Sequence, residues 1–174
     1  MSAPNAVGAD GEPDEFERRA ADRVASLESD GRIALDTFAA MFELFRASTR
    51  VIADLESTVH RPAGLSIAGF RVLFTVWVFE SLEPREIARL AGVSTAAVSG
   101  VLTTLERDGL VEKARRDDDR RRLDVTLTSA GQARVAEAYR AQNVREQVVF
   151  ADIDRDELRA FTATLRRLLR VPLD

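Results

Sequence analysis

Residues 85–113 read REIARLAGVSTAAVSGVLTTLERDGLVEK, a stretch punctuated like two consecutive helices. Pro84 suits the first position of a short helix, and Gly92 suits its end. Ser94 or Thr95 can then cap the start of a second helix. Two short helices joined by a glycine turn predict a helix-turn-helix.

The second helix of this unit has two different faces. Its apolar residues recur at helical spacing and can face a core: Val98, Val101, Leu102 and Leu105. The opposite face offers small polar or methyl-bearing groups: Thr95, Ala96, Ser99, Gly100 and Thr103. Such a face can enter the major groove of duplex DNA, which is about 12 Å wide, and contact phosphates and thymine methyl groups.

A charged hairpin follows the second helix. Residues 110–114 and 123–127 are β-like runs. Between them lies Arg115-Arg116-Asp117-Asp118-Asp119-Arg120-Arg121-Arg122, which is too charged for anything but a solvated tip. An Arg at such a tip can reach a narrow minor groove, and a neighbouring Asp can hold an Arg guanidinium in a fixed orientation. The sequence therefore predicts a winged helix-turn-helix that binds double-stranded DNA.

Helices are predicted on both sides of this lobe. We expect a disordered tail at 1–13, an extra helix within 14–30, a long amphipathic helix within 31–64, the winged lobe at 65–128 and two helices within 129–174. The fold class is therefore mainly α with a small β-hairpin wing. The last helix carries an apolar stripe that would be unusual on a monomer: Leu158, Phe161, Leu165, Leu168 and Leu169.

Composition argues against several other classes of protein. The 174 residues include no Cys and one His, so thiol chemistry, disulfides and a His-pair metal site within one chain are not expected. We expect no cofactor, no metal and no catalytic residue. No apolar run reaches the roughly 18 residues of a membrane span. The first residues lack the basic and apolar regions of a secretion signal, so we expect the cytoplasm and no membrane partner.

The net charge of −4 does not by itself indicate nucleic-acid binding. The charges are unevenly distributed, however. Residues 1–30 carry eight Asp or Glu against three Arg, whereas residues 84–122 carry nine Lys or Arg against seven Asp or Glu. Phosphate contacts are local, so an acidic protein can bind DNA through one positive face.

Residues 65–131 resemble the MarR family (multiple antibiotic resistance regulators). Members share a wing signature of Asp-x-Arg followed by Leu-Thr and a Gly. Here the signature is Asp119-Arg120-Arg121, then Leu127-Thr128 and Gly131. The run at 85–113 also looks like the family's recognition unit.

The resemblance implies a homodimer whose N- and C-terminal helices intertwine, so that 31–64 and 129–174 become dimerisation helices. A dimer implies a palindromic operator with half-sites about one helical turn apart. By resemblance Arg121 is the minor-groove Arg and Asp119 its orienting partner, with Arg115, Arg116 and Arg120 as further DNA contacts. The major groove would be lined by Ser94, Thr95, Ala96, Ser99 and Thr103. Many relatives carry a long basic residue where Gly100 stands here, which changes the operator that this chain can read.

Relatives also bind small, often aromatic or phenolic acids between the dimer helices and the DNA-binding lobe. The candidate ligand-binding residues here are Phe45, Arg46, His60, Phe70, Phe74 and Trp77. Arg46 and His60 could meet a ligand carboxylate. The simpler interpretation is that the aromatic residues form core and that the lone His lies at the surface or caps a helix.

Three functions from different classes follow. The first is a repressor that a small ligand releases from its operator. The second is a protein-interaction module in which the winged helix is only structural and the acidic N-terminus recruits a partner. An enzyme is the weakest of the three, because no phosphate loop or carboxylate pair with a base is present, and Asp117-Asp118-Asp119 is more simply neutralised by flanking Arg than occupied by a metal.

Overall fold

The computed structural model describes residues 14–27, 33–115 and 123–172, with only the backbone of Arg115. The chain forms two compact units, residues 1–51 and 52–174. The expected N-terminal tail at 1–13 and the tip of the hairpin at 116–122 lie outside the described residues.

The first unit contains helix α1, Glu15–Ala25, and the greater part of helix α2, Leu35–Leu55. Helix α1 begins where the Asp14 carboxylate accepts a hydrogen bond from the backbone N–H of Glu17 at 2.8 Å. Its Phe16 ring packs 5.4 Å from that of Phe42 on α2. The extra helix predicted within 14–30 is confirmed, and it spans Glu15–Ala25.

The second unit is built around helix α3, Ile67–Phe79. The Ser66 hydroxyl caps it by accepting from the backbone N–H of Gly69 at 3.0 Å. Val72, Leu73 and Val76 have no exposed surface, so α3 forms the buried centre of the lobe. A π-helical turn, Glu56–His60, precedes α3 and was not predicted.

The helix-turn-helix consists of α4, Pro84–Ala91, and α5, Thr95–Arg107. Gly92 adopts the positive φ of 64° that ends α4, and the Ser94 side chain caps α5. These boundaries confirm the prediction from sequence. Both helices pack against α3, which places the turn between them at the edge of the core.

The wing is part of a three-stranded antiparallel sheet. Strands β2, Val111–Arg115, and β3, Leu123–Leu127, pair as expected from the two β-like runs. A third strand β1, Ser81–Leu82, pairs with β3 and gives the order β1-β3-β2. Strand β1 was not predicted, because two residues carry no alternation that could be recognised.

Two helices complete the second unit. Helix α6, Ser129–Val149, is capped by Thr128, and α7, Arg155–Leu168, begins with a capping box between Asp154 and Glu157. Helix α6 contributes Val135 and Ala138 to the core, whereas α7 buries none of its residues. Within the described ranges, no single helix is long and apolar enough to cross a membrane, and the bent pair α4–α5 meets that length and composition only jointly.

Candidate nucleic-acid interface

Helix α5 is held to the lobe by one face. Val98, Leu102 and Leu105 are buried in the core, and the pairing of these positions with α3 fixes the rotation of the helix. The positions expected to meet DNA all lie on the exposed side: Ser94, Thr95, Ala96, Ser99 and Thr103. The structure therefore brings these five predicted residues together on one surface.

Some polar groups on this surface already make hydrogen bonds within the helix. The Ser94 hydroxyl oxygen accepts from the backbone N–H of Ala97 at 3.2 Å, and the Thr103 hydroxyl donates to the carbonyl of Ser99 at 3.0 Å. A β-carbon at Gly100 would meet no atom within 4 Å. The surface is thus a shallow one, on which Thr103 offers a methyl group and an oxygen that can still accept.

Four basic side chains around the recognition helix each lie in an ion pair, which sequence reasoning did not anticipate. The pairs, with their N–O distances, are Arg85–Glu83 at 3.2 Å, Arg89–Glu86 at 2.8 Å, Arg107–Asp108 at 3.0 Å and Lys113–Glu106 at 2.7 Å. The hydrogen bond from Arg89 lowers the pKa of Glu86. Carboxylates therefore offset the charge of these four cations.

The described part of the hairpin consists of its two strands. Arg115 is opposite Leu123 in the last pair of the β2–β3 ladder, and residues 116–122 lie between them in sequence. The predicted contacts Arg116, Asp119, Arg120 and Arg121 lie outside the described residues. The strands themselves are anchored by Val111 and Val125, which are buried.

The Leu-Thr and Gly of the wing signature have a structural role at the junction of α5, β3 and α6. The Thr128 hydroxyl donates to the carbonyl of Gly109 at 2.7 Å and accepts from the N–H of Gly131 at 3.0 Å. One side chain thus caps α6 and ties its start to the end of the recognition helix. Gly131 is itself buried.

Two of the predicted ligand-binding residues, Phe45 and Arg46, belong to the first compact unit. Arg46 is engaged there by the carboxylates of Asp14 and Glu43, and its guanidinium lies 5.4 Å from the ring centroid of Phe42. The hydrogen bond to Asp14, followed by that to Glu43, raises the pKa of Arg46. Phe45 is 63% exposed, so its interpretation as core is wrong.

The other four, His60, Phe70, Phe74 and Trp77, lie together in the second unit. The His60 ring stacks on Phe70 with centroids 4.4 Å apart, and Phe70 and Phe74 are 5.8 Å apart. The expectation that His60 lies at the surface or caps a helix is wrong, because it is fully buried. The π-helical turn that carries His60 packs against α6, which covers the imidazole. Phe70 is core as expected, whereas Trp77 is 41% exposed.

Sequence reasoning missed three residues of α6 that complete this cluster. The Oε1 of Gln142 lies 2.9 Å from His60 Nε2, Glu146 accepts from Gln142 at 2.7 Å, and the Tyr139 ring is 5.4 Å from that of Phe74. Their spacing of three and four residues places them on one side of α6. That spacing was a signal for a shared face, but not for which partner the face would meet.

Two helices joined by a tight turn, with the second exposed and followed by a two-stranded hairpin, define a winged helix-turn-helix, a class that binds duplex DNA. The sequence profile of the MarR family matches residues 65–123. The chain is 32% identical over 134 residues to an HTH-type transcriptional regulator of Bacillus subtilis, YwaE, spanning 77% of this chain and 78% of that protein.

Solved structures of other proteins are similar to this chain in fold. The transcriptional repressor CouR bound to a 23-mer DNA duplex superposes with a TM-score of 0.71 at 28% identity, over 82% of this chain and all (100%) of that one. BpsR of Bordetella bronchiseptica, whose DNA binding is regulated by 6-hydroxynicotinic acid, gives a TM-score of 0.68 at 26% identity, over 74% of this chain and 97% of that one. The chain belongs to the MarR family and is a DNA-binding transcriptional regulator.

Proposed function

We propose that the protein is a homodimeric repressor that occupies a palindromic operator in the cytoplasm and is released from it by a small aromatic ligand. The observation that carries the proposal is the exposed face of α5, which presents Thr95, Ala96, Ser99 and Thr103 while the opposite face is buried. A helix held in this way can enter the major groove without disturbing the core.

Dimerisation is supported by apolar surface that the single chain leaves exposed. Phe161, Leu168 and Leu169 on or beside α7 are exposed, as are Val144 and Val148 on α6. Apolar surface of this extent on two neighbouring helices is unusual for a monomer. A second copy of the chain is the occupant we propose, which pairs two winged lobes and requires a two-fold symmetric operator.

The DNA contacts divide between two grooves in this proposal. Ser94 and the exposed residues of α5 contact the major groove. Arg121 enters the minor groove with Asp119 as its orienting partner, and Arg115, Arg116 and Arg120 add contacts to the phosphates. The ion pairs of Arg85, Arg89, Arg107 and Lys113 support this division, because they leave the recognition unit with little uncompensated positive charge.

Ligand response is supported by the aromatic cluster and by one relative. The match to BpsR extends over most of this chain, and the DNA binding of BpsR is regulated by a ligand. That similarity suggests an aromatic acid as the class of effector. The candidate residues of the second unit are His60, Phe70, Phe74 and Trp77. Phe45 and Arg46 of the first unit stay separate candidates. A ligand lowers DNA affinity only if it binds more tightly to the conformation that cannot bind DNA.

The proposal is tested by binding of the purified protein to a labelled fragment of its own upstream DNA, measured by anisotropy at several salt concentrations with unlabelled competitor. Tight binding that resists competitor and weakens steeply with salt is the expected result. Weak binding that any DNA competes away would contradict operator recognition at that fragment, and selection from genomic fragments would then search for another site.

The ion-paired basic residues also favour one alternative function. If the wing contributes no DNA contact, the lobe is electrostatically balanced and suits a protein partner, with the acidic N-terminal segment as the recruiting element. Substitution of Arg121 separates the two functions, because only a DNA-binding wing loses affinity for DNA when that side chain is removed.

A further inference from the structure

The tautomer of His60 is determined by a short relay on α6. The side-chain amide of Gln142 donates from Nε2 to Glu146 Oε1 at 2.7 Å, and Asn143 Nδ2 donates to the other oxygen, Oε2, at 3.1 Å. A carboxylate only accepts, so the Gln142 amide nitrogen faces Glu146 and its carbonyl oxygen faces His60. That carbonyl, 2.9 Å from His60 Nε2, can only accept. The neutral imidazole therefore carries its proton on Nε2.

The second ring nitrogen of His60, Nδ1, is consequently unprotonated and can only accept a hydrogen bond. Nδ1 is buried, and no hydrogen-bond donor reaches it from the residues that the structure describes. Buried acceptors are nearly always satisfied in folded proteins, so an unsatisfied one calls for a donor from elsewhere. The residue sits at the end of a π-helical turn, a feature that occurs frequently at functional sites.

Aromatic rings connect this acceptor to the surface. His60 stacks on Phe70, Phe70 lies 5.8 Å from Phe74, and Phe74 lies 5.8 Å from the exposed Trp77. Tyr139 on α6 flanks Phe74 at 5.4 Å. Flat apolar faces of this kind favour an aromatic molecule over an aliphatic or charged one.

We propose that His60 Nδ1 is the hydrogen-bond acceptor for a neutral donor group on an aromatic ligand, such as a phenolic hydroxyl or a ring N–H. The proposal deepens the ligand response proposed above and rests on it. It also differs from the expectation drawn from the sequence, in which His60 meets a ligand carboxylate. A carboxylate would bring its own lone pairs against the lone pair of Nδ1, whereas a hydroxyl supplies the missing proton.

The position of this acceptor suits control of DNA binding. His60 contacts α6 through Gln142 and contacts α3 through Phe70, and α3 packs directly against α4 and α5. A ligand that inserts a donor at Nδ1 must shift the His60–Phe70 stack. That shift acts on the helix against which the recognition helix is packed.

The test uses the 174-residue chain with ¹⁵N-labelled histidine, in which His60 is the single imidazole. Long-range ¹H–¹⁵N spectra report the tautomer directly, and we expect a protonated Nε2 and an unprotonated Nδ1. Phenol and anisole are the two probes, because they share the ring and only phenol donates. Phenol is expected to shift the Nδ1 resonance toward that of a hydrogen-bonded acceptor, and anisole is expected to leave it in place.

A variant tests the relay. Glu146→Ala releases the Gln142 amide and is expected to produce a mixture of tautomers and a weaker phenol shift. Glu137→Ala, at an exposed position on the same helix, is the matched control and should behave as the parent. In the parent protein, a proton on Nδ1, no phenol shift, or equal shifts with the two probes would overturn the proposal. If phenol shifts Nδ1 but leaves an operator complex intact, the acceptor site stands and the ligand release proposed above fails.

Discussion

Gly131 at the start of α6 lies so close to the backbone of Leu110 that a β-carbon there would stand 1.9 Å from the Leu110 carbonyl oxygen. The same oxygen accepts a hydrogen bond from the backbone N–H of Thr128 at 3.2 Å. The glycine of the wing signature therefore allows α6 to begin directly against the segment that leaves the recognition helix. A larger residue must separate the two.

The first prediction concerns this close approach. Gly131→Ala is expected to lower the free energy of unfolding by about 1–3 kcal/mol, because the added methyl group overpacks against backbone that cannot move alone. Gly100→Ala is the matched control for stability, because its β-carbon meets no atom within 4 Å. Alanine in a helix interior should raise stability there by roughly 0.5–1 kcal/mol. Chemical denaturation measures the free energy of unfolding of both variants. A Gly131→Ala variant as stable as the parent protein would contradict the close contact with Leu110.

The second prediction concerns Thr128, whose hydroxyl both caps α6 and donates to the Gly109 carbonyl. Thr128→Ala is expected to cost about 1 kcal/mol of stability from the lost cap alone. Because the hydroxyl also positions the end of α5, DNA affinity should fall as well. Thr128→Ser keeps the hydroxyl and should retain most of both properties. A serine variant as impaired as the alanine variant would show that the hydroxyl is not what matters.

Local structure in this chain was predictable because single residues determine it. Pro84 begins α4, Gly92 ends it with a positive φ, and Ser94 caps α5, each by a preference that acts within one turn. The exposed face of α5 was predictable for the same reason, since a buried apolar stripe leaves only one other side.

Features that depend on distant parts of the chain were not predictable. Strand β1 exists only because Leu82 pairs with Val125, far along the sequence. The burial of His60 depends on the packing of α6 over the π-helical turn, and its partner Gln142 is 82 residues away. The ion pair between Lys113 and Glu106 likewise requires β2 to lie beside α5. Spacing within one element contains no information about such contacts.

A third prediction concerns acid sensitivity in the first unit. The backbone N–H of Glu17, followed by the Arg46 guanidinium, lowers the pKa of Asp14 below its ordinary value of 3.8. A lowered pKa in the folded state means that Asp14 contributes stability above about pH 4 and loses it as the pH falls through the folded pKa. The protection factors of the α1 amides, which are exchange rates corrected for the intrinsic effect of pH, are therefore expected to fall below about pH 4.

Asp14→Asn isolates the charge in this prediction, because asparagine can still cap α1 while Arg46 loses one of its two ionic partners and keeps Glu43. The variant should show lower protection factors at neutral pH and a smaller further loss of protection on acidification. Asp22→Asn, at an exposed position on the same helix, serves as the control. An unchanged acid response in Asp14→Asn would mean that another group is responsible.

The fourth prediction tests the dimer. Phe161→Glu combined with Leu168→Glu places two charges on the exposed apolar face of α7. If that face is buried between copies, the dimer dissociation constant should rise by about 100-fold or more, because unpaired charges would be desolvated. Arg159→Glu removes only an exposed ion pair with Asp156 on the same helix and should leave the dimer intact. Light scattering over a dilution series distinguishes the two, and a dimer that survives the double substitution excludes α7 from the interface.

The fifth prediction concerns the wing. Arg121→Ala is expected to weaken operator binding by about 1–3 kcal/mol and to reduce the dependence of log affinity on log salt by about one unit. Arg19→Ala, in an exposed ion pair with Glu15 on α1, is the charge-matched control and should change neither quantity appreciably.

Asp119→Ala extends this test, because an orienting partner acts only through the arginine that it orients. The single substitution should therefore produce part of the Arg121→Ala loss, and the double variant should be no weaker than Arg121→Ala alone. Additive losses would mean that the two residues act independently. Unchanged DNA affinity in Arg121→Ala, together with capture of a partner protein that the variant retains, would instead assign the winged helix to protein recognition.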